Sequence, residues 1–332
     1  MSPYDEDDPS RFDRPLRRTR PRTKDRPTYD DAVSGFVIRV DRGRYTTRLN
    51  TPERRSVVAV KARPLGRKAV VVGDDVRLVA DTSGAEGALA RIVEVAERRT
   101  VLRRTADDTD PVERVIVANA EQLVIVAAIA NPEPRARLID RCLVAAFDAG
   151  MSALLCLTKA DLGSPVPLVA IYEPLRVPYV VTRRGQDPAD LRRALVKRIS
   201  VLVGPSGVGK STLINALVPG AERAVGRVND TTGRGRHIST QALGLELDGG
   251  GWVIDTPGIR SFGLAHVDPQ RLIKAFPDLD EITADCPRGC THRAEETECA
   301  LDDALSEGRI DAARVDSFRR LLASREGAVL DY

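Results

Sequence analysis

Apolar positions along this chain follow two rhythms and then a third. From residue 33 to about 104 they come as short β-branched runs: Phe36–Val40, Val57–Val60, Val70–Val72, Val76–Val79 and Ile92–Val95. Gly35, Gly43, Gly66, Gly73-Asp74-Asp75 and Ser83-Gly84 punctuate them. Five short strands with turn residues between them predict a small β-barrel. An oligonucleotide-binding (OB) barrel is one such fold, and an SH3-like barrel has the same pattern. From residue 113 to 264 the rhythm changes. Leu123–Ile129 is an unbroken apolar run, as a parallel strand buried on both faces requires. Residues 134–149 follow, with Leu138, Cys142, Leu143, Ala146 and Phe147 at helical spacing. Strand-like runs recur at Leu154–Leu157, Tyr179–Val181, Val201–Val203 and Trp252–Ile254. Strands alternating with helices predict a doubly wound α/β domain. From residue 265 to 332 the pattern is helical, with Leu272, Ile273 and Phe276 on one face and Val315, Phe318 and Leu322 on another.

Composition adds limits. With 42% hydrophobic and 30% charged residues the chain belongs with soluble globular proteins. Its longest apolar run, Leu123–Ala130, is too short to cross a bilayer. The N-terminal stretch has no apolar signal core, so a cytoplasmic protein without membrane contact is expected. Cys142 and Cys156 lie inside apolar runs, which argues against a disulfide framework. A net charge of +3 selects no partner, but its distribution does. Residues 1–32 hold the Arg- and Pro-rich stretch Arg11–Arg26, nearly free of aliphatics. That composition predicts a disordered basic arm, either touching nucleic-acid phosphates or simply solvated. Phe36 and Tyr45 are the aromatic residues of the barrel region, so RNA contact there would lean on Arg, Lys and backbone shape.

Two short motifs carry most of the chemistry, and their order is unusual. Gly204-Pro205-Ser206-Gly207-Val208-Gly209-Lys210-Ser211-Thr212 has the spacing of a phosphate loop after the strand Val201–Val203. Glycines let successive backbone N–H groups curl around phosphates. Lys210 reaches the β- and γ-phosphates, Ser211 meets Mg²⁺, and the helix N-terminus adds its dipole. Thr158-Lys159-Ala160-Asp161 reads as a guanine signature at the end of a strand. The Asp161 carboxylate can accept from guanine N1 and N2, a donor pair that adenine lacks, and Lys159 packs over the base. In an ordinary GTPase the phosphate loop comes first. Here the guanine signature does, so the domain is predicted to be circularly permuted. Asp255-Thr256-Pro257-Gly258 follows an apolar strand, with Asp255 placed for Mg²⁺ and the Gly258 N–H for the γ-phosphate. Thr182, after the next strand, is a further residue expected beside the base.

The residue after Gly258 is Ile259, where Ras-like enzymes carry a glutamine that orients the attacking water. His237, in the switch-like segment Gly233–Thr240, is the internal candidate for that task; a structural or RNA-contacting histidine is the equal alternative. Cys286, Cys290, His292 and Cys299 place three thiols and one imidazole within fourteen residues. Tetrahedral zinc takes such a set, and four protein ligands make a closed, structural site; reactive cysteines are the alternative. One structural Zn²⁺, and Mg²⁺ with GTP, are the cofactors expected.

These motifs together resemble the bacterial ribosome small-subunit-dependent GTPase A family. The carriers are Val72–Val76, Thr158–Asp161, Gly204–Thr212, Gly233–His237, Asp255–Gly258 and the Cys/His cluster, over roughly residues 33–325. The resemblance implies an OB-like barrel at 33–104, a permuted GTPase domain at 113–264 and a helical zinc domain at 265–332. It implies an assembly factor, here a monomer, that binds the small (30S) ribosomal subunit and its 16S rRNA with its barrel and zinc domain. The factor assists late maturation, and leaves when the subunit stimulates hydrolysis of GTP to GDP. His237 falls on the family's proposed catalytic histidine. The family's switch is closer to His-Thr-Thr, so Ser239 or Thr240 completes the magnesium set with Ser211 and Asp255; Thr240 is the one taken. Two other readings stand beside it: an RNA-binding module that uses GTP only to hold a conformation, and a GTPase acting on the large subunit or a tRNA.

Overall fold

The computed structural model describes residues 29–66, 69–104, 114–221, 242–257, 262, 264 and 267–325. The chain divides after Asp31 into two units, and the architecture below belongs to the second, Ala32–Tyr332. Its first five strands are β1 (Val33–Asp41), β2 (Arg44–Leu49), β3 (Ser56–Lys61), β4 (Asp75–Ala80) and β5 (Ala90–Val95). They run in the order β1-β2-β3-β5-β4, and β4 returns to pair with β1 from Val33↔Leu78 to Phe36↔Asp75. The barrel is therefore closed and leaves no free edge within it. Alternate residues point inward, so Val37, Leu49, Val57, Ala59, Leu78 and Ile92 form its core.

One predicted strand of this region is replaced by another. Val70–Val72 is buried but makes only an isolated bridge, Val72↔Val117. Its amides serve a turn instead: Val71 N donates to Asp74 Oδ2 at 2.8 Å, and Arg98 Nε holds Asp74 Oδ1 at 2.7 Å. The missing strand is β2, where Thr47 occupies an inward position with no exposure. A polar inward residue hid that strand from a search for apolar runs.

A hairpin of β6 (Val101–Arg104) and β7 (Arg114–Ala118) leads into the α/β part. There β8 (Gln122–Ala128), β9 (Ser152–Thr158), β10 (Tyr179–Val181), β11 (Ile199–Val203) and β13 (Trp252–Asp255) run parallel in the order β10-β9-β8-β11-β13. The antiparallel β12 (Leu243–Glu246) follows and pairs with β1 at Arg39↔Leu243, so one sheet continues into the barrel. Phe36 stacks on Trp252 across this seam at 4.9 Å. Phe36 and Tyr45 are both buried, so neither offers a face to a base.

The apolar run of β8 is explained by its two faces. Leu123, Ile125 and Ala127 face α1 (Ala136–Asp148) and the C-terminal helices. Val124, Val126 and Ala128 face α3 (Ala189–Leu195) and α4 (Lys210–Leu217), while α2 (Val166–Tyr172) joins the first face. The C-terminal part holds α5 (Pro269–Ile273), α6 (Pro277–Thr283), α7 (Ala300–Ser306) and α8 (Ala312–Arg325). Phe276 links them to α1, edge-on to Phe147 at 5.3 Å and to Phe318 at 5.4 Å. Val315 and Phe318 are fully buried, as their shared helical face predicts. Among the described residues no helix is long and apolar enough to cross a membrane.

Candidate functional site

Parallel strands end on one edge of a sheet, and there the polar motifs of this chain meet. β11 ends at Val203 and hands over to the loop Gly204–Gly209, which opens α4 at Lys210. Gly204 lies against the neighbouring strand so closely that a Cβ would sit 2.3 Å from the Val126 carbonyl oxygen. Gly207 and Gly209 take φ of 83° and 100°, a region that favours glycine. Val208 is buried and anchors the loop, whereas Ser206, Gly207, Ser211 and Thr212 are exposed. Lys210 Nζ folds back to donate to the carbonyls of Gly204 at 2.5 Å and Pro205 at 3.0 Å. The ammonium thus lies inside the curl of its own loop.

β9 ends one strand beyond β8, and its last residue reaches the same loop. Thr158 is buried, and its Oγ1 donates to the Val208 carbonyl at 2.6 Å. Lys159 takes φ of 59°, and its Nζ donates to the Asn131 carbonyl in the loop after β8. Ala160 N donates to Thr182 O at 3.2 Å. Thr182 is buried and donates its own N–H to Leu157 O at 2.8 Å, so it braces this turn from beneath. The exposed Asp161 accepts the Arg184 amide at 3.2 Å. That backbone hydrogen bond holds its carboxyl below the usual range. The Arg183-Arg184 turn that the carboxylate faces is not legible in the sequence, because nothing in a run of two arginines marks a backbone donor.

Asp255 ends β13, paired in register with Leu202, and Thr256 Oγ1 donates to the Leu202 carbonyl at 2.9 Å. Burial pushes the Asp255 carboxyl up while the nearby Lys210 ammonium pulls it down. Burial likewise lowers the Lys210 ammonium, and Asp255 opposes that shift. A half-buried cation and a half-buried carboxylate therefore face one another across the loop, an arrangement suited to a phosphate on one side and a divalent cation on the other. His237, Ser239, Thr240 and Gly258 lie outside the described residues.

A second cluster sits between α6 and α7. Cys286, Cys290, His292 and Cys299 bring one ligand atom each within 4.8 Å of one another. His292 Nδ1 lies 3.6, 3.5 and 3.9 Å from the sulfurs of Cys286, Cys290 and Cys299. Zinc bond lengths on a tetrahedron give sulfur–nitrogen edges of about 3.6 Å. The donor set and the spacing both fit such an ion. Positive φ at Gly289 (85°) and His292 (60°) turns the chain so that the ligands converge. Ala300 N donates to Cys286 Sγ at 3.3 Å, and Arg319 Nε donates to the His292 carbonyl at 3.1 Å while pairing with Asp302. Burial raises the thiols of Cys286, Cys290 and Cys299, so holding them as thiolates calls for a cation among them. Cys142 and Cys156 are a different case: burial pushes both thiols up to about 12, leaving them inert.

The chain matches the family model described as RsgA GTPase over residues 95–265. It is 40% identical to the small ribosomal subunit biogenesis GTPase RsgA of Pseudomonas aeruginosa (strain LESB58) over 265 residues, 77% of this chain and 76% of that protein. The protein of the same name from Ectopseudomonas mendocina (strain ymp) is 44% identical over 218 residues. That match covers 63% of each chain, so slightly under two thirds of this relative is spanned. Among solved structures, YjeQ from Thermotoga maritima superposes with a TM-score of 0.67 at 26% identity, over 90% of this chain and all of that one. The circularly permuted GTPase YloQ shares the fold with a TM-score of 0.66 at 21% identity, over 93% of this chain and 100% of that one.

Proposed function

This chain belongs to the RsgA GTPase family, a family of GTP hydrolases, and from that premise we propose that it serves the maturation of the small ribosomal subunit. In this reading it binds the subunit and its 16S rRNA, and hydrolysis of GTP to GDP, stimulated by the subunit, releases it. The observation that carries the nucleotide part is the bond from Thr158 Oγ1 to the Val208 carbonyl. Two motifs in reversed sequence order lie side by side there, as a base signature and a phosphate loop must to hold one nucleotide.

Each side chain then has a task. The backbone N–H groups of Gly204, Ser206, Gly207, Val208 and Gly209 surround the phosphates, and Pro205, which has no N–H to give, belongs to the same loop. Lys210 exchanges its carbonyl partners for the β- and γ-phosphates. Ser211 and Thr212 open the helix beside them, and Ser211, Asp255 and Thr240 hold Mg²⁺, which when bound neutralises charge on the phosphates. Gly258 senses the γ-phosphate. Asp161 accepts from guanine, Lys159 covers the base, and Thr158 and Ala160 set the turn. With Ile259 in the glutamine position, His237 orients the attacking water. The Cys286, Cys290, His292 and Cys299 cluster holds one structural Zn²⁺.

The domain reading supports this division of labour: a basic arm at 1–32, the barrel at 33–104, the GTPase domain at 113–264 and the zinc-binding helices at 265–332. Barrel and zinc domain meet RNA, and the protein works as a cytoplasmic monomer. GTP turnover measured with and without purified small subunits, with large subunits as control, tests the proposal. Stimulation by small subunits alone is the expected result. No stimulation by either would favour an RNA-binding module that uses GTP only to hold its shape, and stimulation by large subunits would overturn the partner.

A further inference from the structure

Arg141 lies in the middle of α1 and is 8% exposed, although it carries a permanent charge. Its Nη2 donates to the carbonyl of Phe262, and its Nη1 to the carbonyl of Ser324 at 3.2 Å. Neither acceptor is near it in sequence, and they belong to different parts of the molecule. Phe262 is fully buried and stands seven positions after Asp255, at the far end of the stretch that contains the phosphate-sensing glycine. Ser324 lies in the last turn of α8, where carbonyls have no partner within the helix. The guanidinium therefore caps α8 and meets the negative end of its dipole. The same helix α1 begins just after the loop that touches the nucleotide crevice: Asn131 accepts from Lys159, and Pro132 lies 3.8 Å from where a Gly207 Cβ would be.

We propose that Arg141 is a positioning residue that couples the nucleotide state of the crevice to the C-terminal helix α8, by holding the Phe262 carbonyl and the end of α8 on one guanidinium. The inference rests on the nucleotide reading above. The planar fork fixes the spacing of the two carbonyls it holds. A shift of Phe262 then either carries α8 with it or breaks a bond in a buried site, where an unsatisfied donor is costly. α8 also carries Arg319, which donates to the His292 carbonyl, so movement of α8 reaches the metal cluster.

A neighbouring pair provides the control. Arg320 on α8 bonds Asp140 on α1 at 3.1 Å and lies over the Tyr172 ring at 5.5 Å. It joins the same two helices from a part-buried position, its side chain 29% exposed, and makes no bond to Phe262.

The test is hydrogen exchange across α8 in the full chain, loaded with GDP or with a non-hydrolysable GTP analogue after calorimetry has established that both bind. In the wild type, α8 protection should differ about fivefold or more between the two states, the range of typical coupling energies. Arg141→Met should bind both nucleotides and lose that difference, whereas Arg320→Met should lower the melting temperature yet keep it. Arg141→Lys, which retains the charge and one bond, serves if the methionine variant does not fold, and should lose the difference too. A folded Arg141 variant with the wild-type difference overturns the proposal, as does a wild type that binds both nucleotides and shows none. A wild type that binds neither nucleotide overturns the reading beneath it.

Discussion

In the proposed reading, Lys210 and Asp161 are the single residues that commit the crevice to its ligand. Lys210 is held by two carbonyls of its own loop and faces Asp255, so the ammonium is already where phosphates would arrive. Lys210→Ala should weaken GTP binding by about a hundredfold or more, close to 3 kcal/mol, since charge-assisted bonds to phosphate are lost while the loop survives. Calorimetric titration checks this, and undiminished affinity would remove the phosphate-loop assignment. Asp161 is exposed and fixed by the Arg184 amide, which lowers its carboxyl. A lowered carboxyl stays ionised as the pH falls to the ordinary carboxylate range of about 4. Preference for guanine over adenine nucleotides should therefore persist through mildly acidic pH. Asp161→Asn should move that preference toward xanthosine triphosphate, because an amide donates where the carboxylate accepted; competition binding with the three nucleotides reads the change.

Elements join through turns whose geometry admits few residues. Gly73 takes φ of 94°, and a Cβ there would lie 2.0 Å from the Ala118 carbonyl oxygen. Asn119 Nδ2 also donates to the Gly73 carbonyl at 2.8 Å, so the turn before β4 is clamped to the end of β7. Gly73→Ala forces both a left-handed alanine and a backbone clash. Destabilisation of about 2 kcal/mol or more follows from strain of that kind. Thermal unfolding should show it, with a melting temperature equal to wild type counting against the packing described. The same turn explains why Val70–Val72 is no strand: its amides and carbonyls are spent on Asp74 and Ala118. A β-branched run announces burial, and only hydrogen-bond partners make it a strand.

Across the whole molecule the C-terminal helices are held by charge as well as by packing. Arg314 on α8 is nearly buried, bonds both oxygens of Asp278 at 3.1 and 2.7 Å, and donates to the Pro174 carbonyl at 2.8 Å. The Arg314 hydrogen bond lowers the Asp278 carboxyl. A carboxyl lowered on folding adds stability above its unfolded pKa of about 3.9 and loses it as pH falls through the lower folded value. Asp278→Asn should cost about 1–3 kcal/mol near neutrality by leaving Arg314 without its charge partner. The difference from wild type should vanish at acid pH, and denaturant unfolding at two pH values tests it. Metal removal acts on the same region. A strong chelator should release one metal ion and raise hydrogen exchange in α7 and α8, while the parallel strands keep their protection. Elemental analysis showing no zinc in the purified protein would refute the metal assignment.

By itself the sequence determined whatever depends on local spacing. Glycine spacing in Gly204–Thr212, the Cys/His cluster from Cys286 to Cys299 that could hold a metal ion, the unbroken run Leu123–Ile129 and the helical face of Val315, Phe318 and Leu322 were all readable, because each is written in neighbouring residues. The reversed order of Thr158–Asp161 and Gly204–Thr212 pointed to a permuted domain, and the parallel strand order with its family match bears that out. Tertiary structure alone decided what long-range bonds decide. It set β2 in place of Val70–Val72, joined the barrel to the sheet through β1 and β12, and put Arg183-Arg184 beside Asp161. It also brought Phe262 and Ser324 to one arginine. Backbone carbonyls are identical at every position, so a side chain that seeks one leaves no trace in the sequence of its partner.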